Sequence, residues 1–251
     1  MTEILYGIHP VLEAIEARRR VISRIHVSTG KRSRRHEQIV AAAEQLGIRI
    51  SRTGADQLTA MAGTLRHQGV CARSTMFPYD DFNDLVNALS VDEATPFWLV
   101  LDSIQDPHNL GALIRTAHCV GIDAVVLPKN RSASATPAVS KASAGALEHC
   151  RMSQVTNLSR TLAAMQENGM WIVGLDSQAP GDLFRVDLTG PLALVVGGEE
   201  KGIRPLVKNH CDYLLAIPQV GPVASLNASV AGGVAMYEVY RQRNKMFQKP
   251  I

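Results

Sequence analysis

Three polar loops hold the side chains of this 251-residue chain best suited to chemistry. The first runs from Asp102 to Asn109 (DSIQDPHN) and opens a helix-like stretch carrying Gly111, Ala112 and Arg115. Asn109 stands where an amide can cap a helix. Gly111 and Ala112 let a backbone or a ligand approach closely. Arg115 lies on an otherwise small, apolar stretch, so burying it requires an anion. Asp102 or Asp106 is the internal candidate, and a substrate phosphate the external one.

The second loop is Gly197-Gly198-Glu199-Glu200-Lys201-Gly202, which follows the apolar run Leu192–Val196. Its three glycines expose backbone amides, and Glu199 can either close a turn or orient a ligand. The pattern is neither GxGxxG nor a P-loop, so dinucleotide and triphosphate binding are unsupported. The third loop runs from Pro218 to Asn227 (PQVGPVASLN) and is stiffened by two prolines. Ser225, Asn227 and Ser229 lead into a long helix rich in small residues. Capping accounts for one of these three polar side chains.

Metal chemistry is not expected. His118-Cys119, His149-Cys150 and His210-Cys211 are adjacent pairs, and adjacent side chains diverge. Zinc ligands prefer wider spacings. The four cysteines form no CxxC, which points to free thiols and a reducing cytoplasm.

Positive charge is concentrated near the front. Arg18 to His36 holds eight Lys/Arg and no acid. Such a run can be a solvated face. Its place at a helix end and in the loop Gly30–Arg35 favours contact with nucleic-acid phosphate. The candidates are Arg18, Arg19, Arg20, Lys31, Arg32, Arg34 and Arg35.

The elements that must position these residues fall into two patterns. Residues 1–75 read as a small α/β unit. Its predicted helices are Gly7–Arg20, Arg34–Leu46 (closed by Gly47) and Ala55–Ala62. Its predicted strands are Arg24–Thr29, Ile48–Thr53 and Gly69–Ser74. Residues 76–95 read as an acidic linker, helical at Phe82–Leu89. From Pro96 onward apolar strands alternate with helices. The strands are Phe97–Leu101, Ala124–Leu127, Trp171–Leu175, Leu192–Val196 and Tyr213–Ile217. The helices are Leu110–Val120, Ser140–Leu147, Leu158–Glu167, Arg204–Asn209 and Asn227–Arg243. Continuously apolar strands are those buried on both faces, as in a mostly parallel α/β sheet. Ligands bind such sheets at the carboxyl ends of the strands, where the three loops lie.

Charge follows the same division. The whole chain carries only +3. Residues 1–75 are net +6, residues 76–95 net −5 and residues 96–251 net +2. The chain is 46% hydrophobic and 20% charged, an ordinary globular composition. No apolar run nears the roughly 20 residues of a membrane span, and the opening residues lack the apolar core of a secretory signal.

The three segments DSIQDPHNLGALIRTA, VVGGEEKGIR and IPQVGPVASLNASVA closely resemble the three motifs of the SpoU (TrmH-type) RNA ribose methyltransferases. That family belongs to the SPOUT superfamily. LYGIHPVLEAI, HQGV at His67–Val70 and PKNRSA at Pro128–Ala133 resemble the subgroup acting on guanosine ribose in bacterial 23S rRNA.

The resemblance implies a C-terminal catalytic domain with helices on both faces of a mostly parallel sheet and a deep trefoil knot. It implies a small ribosomal-protein-like RNA-binding domain in front, S-adenosylmethionine (AdoMet) as cofactor, no metal, and a homodimer through the catalytic domain. The expected partner is 23S rRNA or the assembling large subunit, with no membrane and no DNA. Gly197, Gly198, Ile217, Ser225, Leu226 and Asn227 become the expected cofactor-binding residues. Arg115, Asn109, Glu199, Ser225 and Asn227 become the expected catalytic set. Lys129 and Arg131 join the RNA contacts. The family proposal of Arg as base conflicts with the persistent protonation of guanidinium, so gripping phosphate suits Arg115 better.

The rival readings are a tRNA methyltransferase and a non-catalytic ribosome-assembly protein. A nucleotide-cofactor oxidoreductase lacks its glycine fingerprint.

Overall fold

Apolar runs too short for helices become strands, and the amphipathic stretches between them cover the faces. The computed structural model describes residues 1–30, 33–89, 95–222 and 225–244. They cluster into two units, Met1–Pro78 with Ser134–His149, and Tyr79–Ala133 with Cys150–Ile251.

The front unit contains β1 (Thr2–Tyr6), α1 (Ile8–Ala17), β2 (Ile22–Ser28), α2 (Arg34–Gln45), β3 (Arg49–Thr53), α3 (Ala55–Ala62) and β4 (Val70–Thr75). The sheet order is β1-β4-β2-β3, with only β2 and β3 parallel. Val11, Ala14 and Ile15 of α1 and Ile39 and Ala43 of α2 pack on Ile25, Val27, Val70 and Ala72. Alternation sends Cys71 to the opposite face, where its Sγ donates to the Leu58 carbonyl of α3 at 3.7 Å. β1 was not expected from sequence. It is an edge strand beside β4, and its apolar residues Ile4 and Leu5 form too brief a run to stand out.

The second unit contains α4 (Phe82–Leu89), β5 (Phe97–Asp102), α5 (Pro107–Val120) and β6 (Ala124–Pro128). After α6 (Pro137–Ala142), which clusters with the front unit, come β7 (Met152–Val155), α7 (Leu158–Glu167), β8 (Trp171–Leu175) and β9 (Gly181–Asp182). β10 (Leu192–Gly197), α8 (Pro205–Lys208), β11 (Tyr213–Ala216) and α9 (Ala228–Arg243) complete it. The seven strands are all parallel in the order β7-β6-β5-β10-β8-β11-β9. Every residue of β5 and β6 is buried. Leu85 and Val86 of α4, Leu162 and Met165 of α7 and Val207 of α8 pack on Trp98, Val100 and Val195. α5 and α9 cover the other face. They approach closely at Gly232, where a Cβ would meet Leu113 Cδ2 at 2.4 Å.

Three expectations change. The helix expected at Ser140–Leu147 is instead α6 followed by a 3-10 turn, Ala146–His149. Ala144 and Gly145 adopt positive φ between them, and a Cβ at Gly145 would strike Glu13 Cγ at 2.5 Å. The stretch Ser134–His149, drawn by sequence inside a continuous region 96–251, clusters with the front unit. Its anchor is Glu148, buried and bonded to Arg20 at 2.6 and 3.1 Å and to Ser140 Oγ at 2.6 Å. The expected linker 76–95 is likewise divided. Phe77 lies beneath Arg19 and Arg20, while α4 belongs to the second unit's core. Residues 90–94 lie outside the described residues.

Candidate functional site

The carboxyl ends of β5, β10, β8 and β11 meet at one edge of the parallel sheet, and the three polar loops of the sequence leave from them. Buried Asp102, the last residue of β5, organises that edge. It accepts from Arg204 N at 2.8 Å, Arg204 Nε at 2.7 Å and Ser103 Oγ at 3.2 Å. Gly198 N donates to its carbonyl at 2.9 Å. Asp102 therefore pairs with Arg204, not Arg115. Arg115 is exposed on α5, and no partner holds its side chain among the described residues. Its exposure removes the need for an internal anion.

The glycines of the second loop serve close packing. A Cβ at Gly197 would lie 2.1 Å from the Gly202 carbonyl carbon, and one at Gly198 would lie 2.4 Å from Ser103 O. The backbone folds back on itself there, with Gly198 bridged to Gly202.

A chain of side-chain amides joins all three loops. Asn227, the N-cap of α9, accepts at Oδ1 from Ser229 N at 2.9 Å and Ser229 Oγ at 2.6 Å. Its Nδ2 donates to Asn109 Oδ1 at 3.2 Å. Asn109 Nδ2 then donates to the Glu199 carboxylate. Asn109 is not a cap. α5 starts earlier, at Pro107, with Asp106 capping through His108 N at 2.8 Å. Asn109 thus sits inside the first turn with its amide free to reach across.

Beside this chain lies a cavity of about 340 Å³, within the range of small-ligand pockets. Gly197, Gly198, Ile217, Ser225 and Leu226 line it, as does Glu199. Asn227 is not part of the lining; it acts on Asn109 instead. Among the lining residues missed by sequence reasoning are Asp176, directly after β8, and Lys208 of α8, which form an ion pair. The Lys208 hydrogen bond holds the Asp176 carboxyl below its ordinary value. Asp176 follows an apolar strand directly, and the strand-end rule was the available signal.

The expected RNA contacts separate. Arg18, Arg34 and Arg35 are exposed, and Arg35 Nη1 lies 2.6 Å from His9 Nε2. Arg19 is half-buried, with Nη2 donating to Pro78 O at 3.3 Å. Arg20 is a correction: its side chain is fully buried between Glu148 and Glu3, so it cannot meet a phosphate. Lys31 and Arg32 lie outside the described residues. Lys129 and Arg131 are exposed in the loop after β6. Ser132 Oγ (3.1 Å) and Ala133 N (2.8 Å) tie that loop to Ile104 O of the first loop. Among the described residues no group of His, Cys, Asp and Glu is arranged to hold a metal.

Comparison with known proteins agrees along the chain. The SpoU rRNA Methylase family model matches residues 96–237, and the RNA 2′-O ribose methyltransferase substrate binding model matches residues 4–80. The 23S rRNA (guanosine-2′-O-)-methyltransferase RlmB of Photorhabdus laumondii is 41% identical over 244 residues, covering 97% of this chain and 100% of the relative. The RlmB of Escherichia coli K12 is 38% identical over 247 residues, with 97% and 100% covered. Among solved structures, the SpoU methyltransferase AviRb from Streptomyces viridochromogenes, in complex with AdoMet, superposes with a TM-score of 0.79. That likeness is at 22% identity and covers 96% of this chain and 89% of that one.

Proposed function

Since the chain belongs to the SpoU rRNA methylase family, we propose that it methylates the ribose 2′-oxygen of a guanosine in 23S rRNA, using AdoMet. The observation that carries this reading is the Glu199–Asn109–Asn227 chain beside the glycine-walled cavity. A protein that only bound RNA would have no need of both.

The cavity fits the cofactor's chemistry. Backbone at Gly197 and Gly198, where no side chain has room, suits an adenosine, and Ile217 and Leu226 supply apolar wall. Glu199 and the Asp176–Lys208 pair offer opposite charges to a zwitterionic amino acid. When bound, AdoMet supplies a sulfonium methyl already activated for transfer.

The protein's own work is then orientation and proton handling. Asn227 fixes the Asn109 amide, and Asn109 fixes the Glu199 carboxylate, so the three loops keep one geometry. Arg115, exposed and without a partner among the described residues, is available to grip a substrate phosphate bidentately and polarise the nearby 2′-hydroxyl. The hydroxyl proton leaves to water or phosphate oxygen, since a guanidinium does not accept it. Gln219 and Ser225 line the cavity as polar groups of the third loop.

The same reading includes the knotted threading, the RNA-docking role of the front domain at residues 1–75, and a cytoplasmic location. It also includes a homodimer through the catalytic unit, whose α9 exposes Val230 and Tyr237. No helix among the described residues is long and apolar enough to cross a membrane.

The test is methylation of purified 23S rRNA with labelled AdoMet, with tRNA in parallel and the product nucleotide mapped. A 2′-O-methylguanosine in 23S rRNA is expected. Label only in tRNA, or AdoMet binding without methylation of either RNA, would overturn the reading.

A further inference from the structure

Three arginines stand side by side across the front sheet. Arg24 on β2 is the register partner of Arg49 on β3 and of Arg73 on β4. Their sequence neighbours Ile25, Ile50 and Ala72 pack into the front core, so alternation turns the arginines to the other face. All three are exposed, and none has an ion pair among the described residues. α3 meets this face at Cys71, and Arg24, Arg49 and Arg73 stay exposed beside it.

Neighbouring strands lie about 4.8 Å apart, so the three side chains start within about 10 Å of one another. Like charges directly opposite destabilise a sheet. Here no carboxylate of the described residues forms an ion pair with the row. His26, next along the same face, bonds Thr53 Oγ1 at 3.1 Å. Its pKa is pushed down by burial first, then by Arg24 and Arg73. It therefore adds a neutral polar group beside the row. A single small anion would satisfy one or two guanidiniums. A row of three at regular spacing matches an extended ligand with repeating negative charge, and guanidinium forks suit phosphate oxygens.

We infer that Arg49, Arg24 and Arg73 form a phosphate-binding row for the RNA substrate on the open sheet face of the front unit, a face apart from the Arg34–Arg35 helix start. This rests on the RNA methyltransferase reading. It adds Arg49 and Arg73, which lie outside the basic run of the sequence, and Arg24, which lies within that run but was not among its named candidates.

The experiment compares the full-length protein with two triple variants, Arg24→Gln/Arg49→Gln/Arg73→Gln and Arg24→Lys/Arg49→Lys/Arg73→Lys. Binding of purified 23S rRNA is followed from about 50 to about 200 mM salt. The Gln variant should bind RNA more weakly, with a salt slope shallower by about 2, since each phosphate contact contributes about 0.7. Its AdoMet affinity should match the wild type. Its unliganded melting temperature should hold or rise, because repulsion is relieved. The Lys variant should keep most of the slope. An unchanged slope and affinity in the Gln variant would sink the inference while leaving the enzyme's function intact, and so would a lowered melting temperature. A wild-type protein that neither binds nor methylates the rRNA would bring down both.

Discussion

Asn227 Nδ2 donates to Asn109 Oδ1 at 3.2 Å, across 118 positions of sequence. The direction is set locally. Asn227 Oδ1 is occupied by the Ser229 amide and hydroxyl at the head of α9, so only its NH₂ can face Asn109. Asn109 must then present its oxygen to Asn227 and its NH₂ to Glu199. One helix cap thereby orients a carboxylate on a different loop.

Asn109→Asp should break this chain by setting a carboxylate against Glu199. Turnover should fall at least tenfold while melting stays within a few degrees of wild type. Asn227→Ala should also lose turnover, and in addition about 1 kcal/mol of stability with the cap. Steady-state methylation alongside denaturant melts checks both. An Asn109→Asp enzyme of normal activity would mean the chain is decorative.

Gly197→Ala should cost AdoMet affinity and stability together, because its Cβ would fall 2.1 Å from Gly202 backbone and force the second loop to move. Gly190→Ala is the control, with nothing within 4 Å of its Cβ. Calorimetric titration with AdoMet should separate the two variants clearly. Equal affinities would refute the packing argument.

Arg204→Ala should destabilise the second unit by about 1.5–3 kcal/mol, the usual range for a lost charged hydrogen bond. Asp102 is fully buried and would keep only the Arg204 amide and the Ser103 hydroxyl. Urea unfolding gives the number directly. A loss below about 0.5 kcal/mol would show that solvent reaches Asp102 easily.

Arg20→Met should behave as a core lesion, not as a loss of RNA contact. It strands buried Glu148, and breaking a buried pair costs about 3–5 kcal/mol. The melting temperature should drop sharply while the salt slope of RNA binding stays as in wild type. A changed slope with unchanged melting would return Arg20 to the RNA interface.

Asp176 sets a pH dependence. Its carboxyl titrates below the ordinary 3.8, owing first to the Lys208 hydrogen bond. The stabilisation is therefore complete above about pH 4 and is lost as pH falls through the lower folded value. Lys208→Met should flatten this acid limb and weaken AdoMet binding, since both residues line the cavity. Melting temperatures between about pH 5 and about pH 3 test the sign; a steeper limb in the variant would contradict it.

The sequence by itself determined the α/β class, most element positions and the three loops. Apolar periodicity is local, and Phe97–Leu101, Leu158–Glu167 and Phe82–Leu89 announce themselves through it. It also supplied Asn109, Glu199 and Asn227 as types and places. Their partnership was decided only in three dimensions, because the parallel order sets β10 beside β5 and brings loops some ninety residues apart to one edge. The same holds for Asp102, matched to Arg204 instead of Arg115, and for Arg20, which a charge count grouped with exposed neighbours. A charge count records no burial. The row Arg49–Arg24–Arg73 lies further still beyond sequence reading. Its members are scattered over fifty residues, and only strand register, which long-range pairing sets, makes them neighbours.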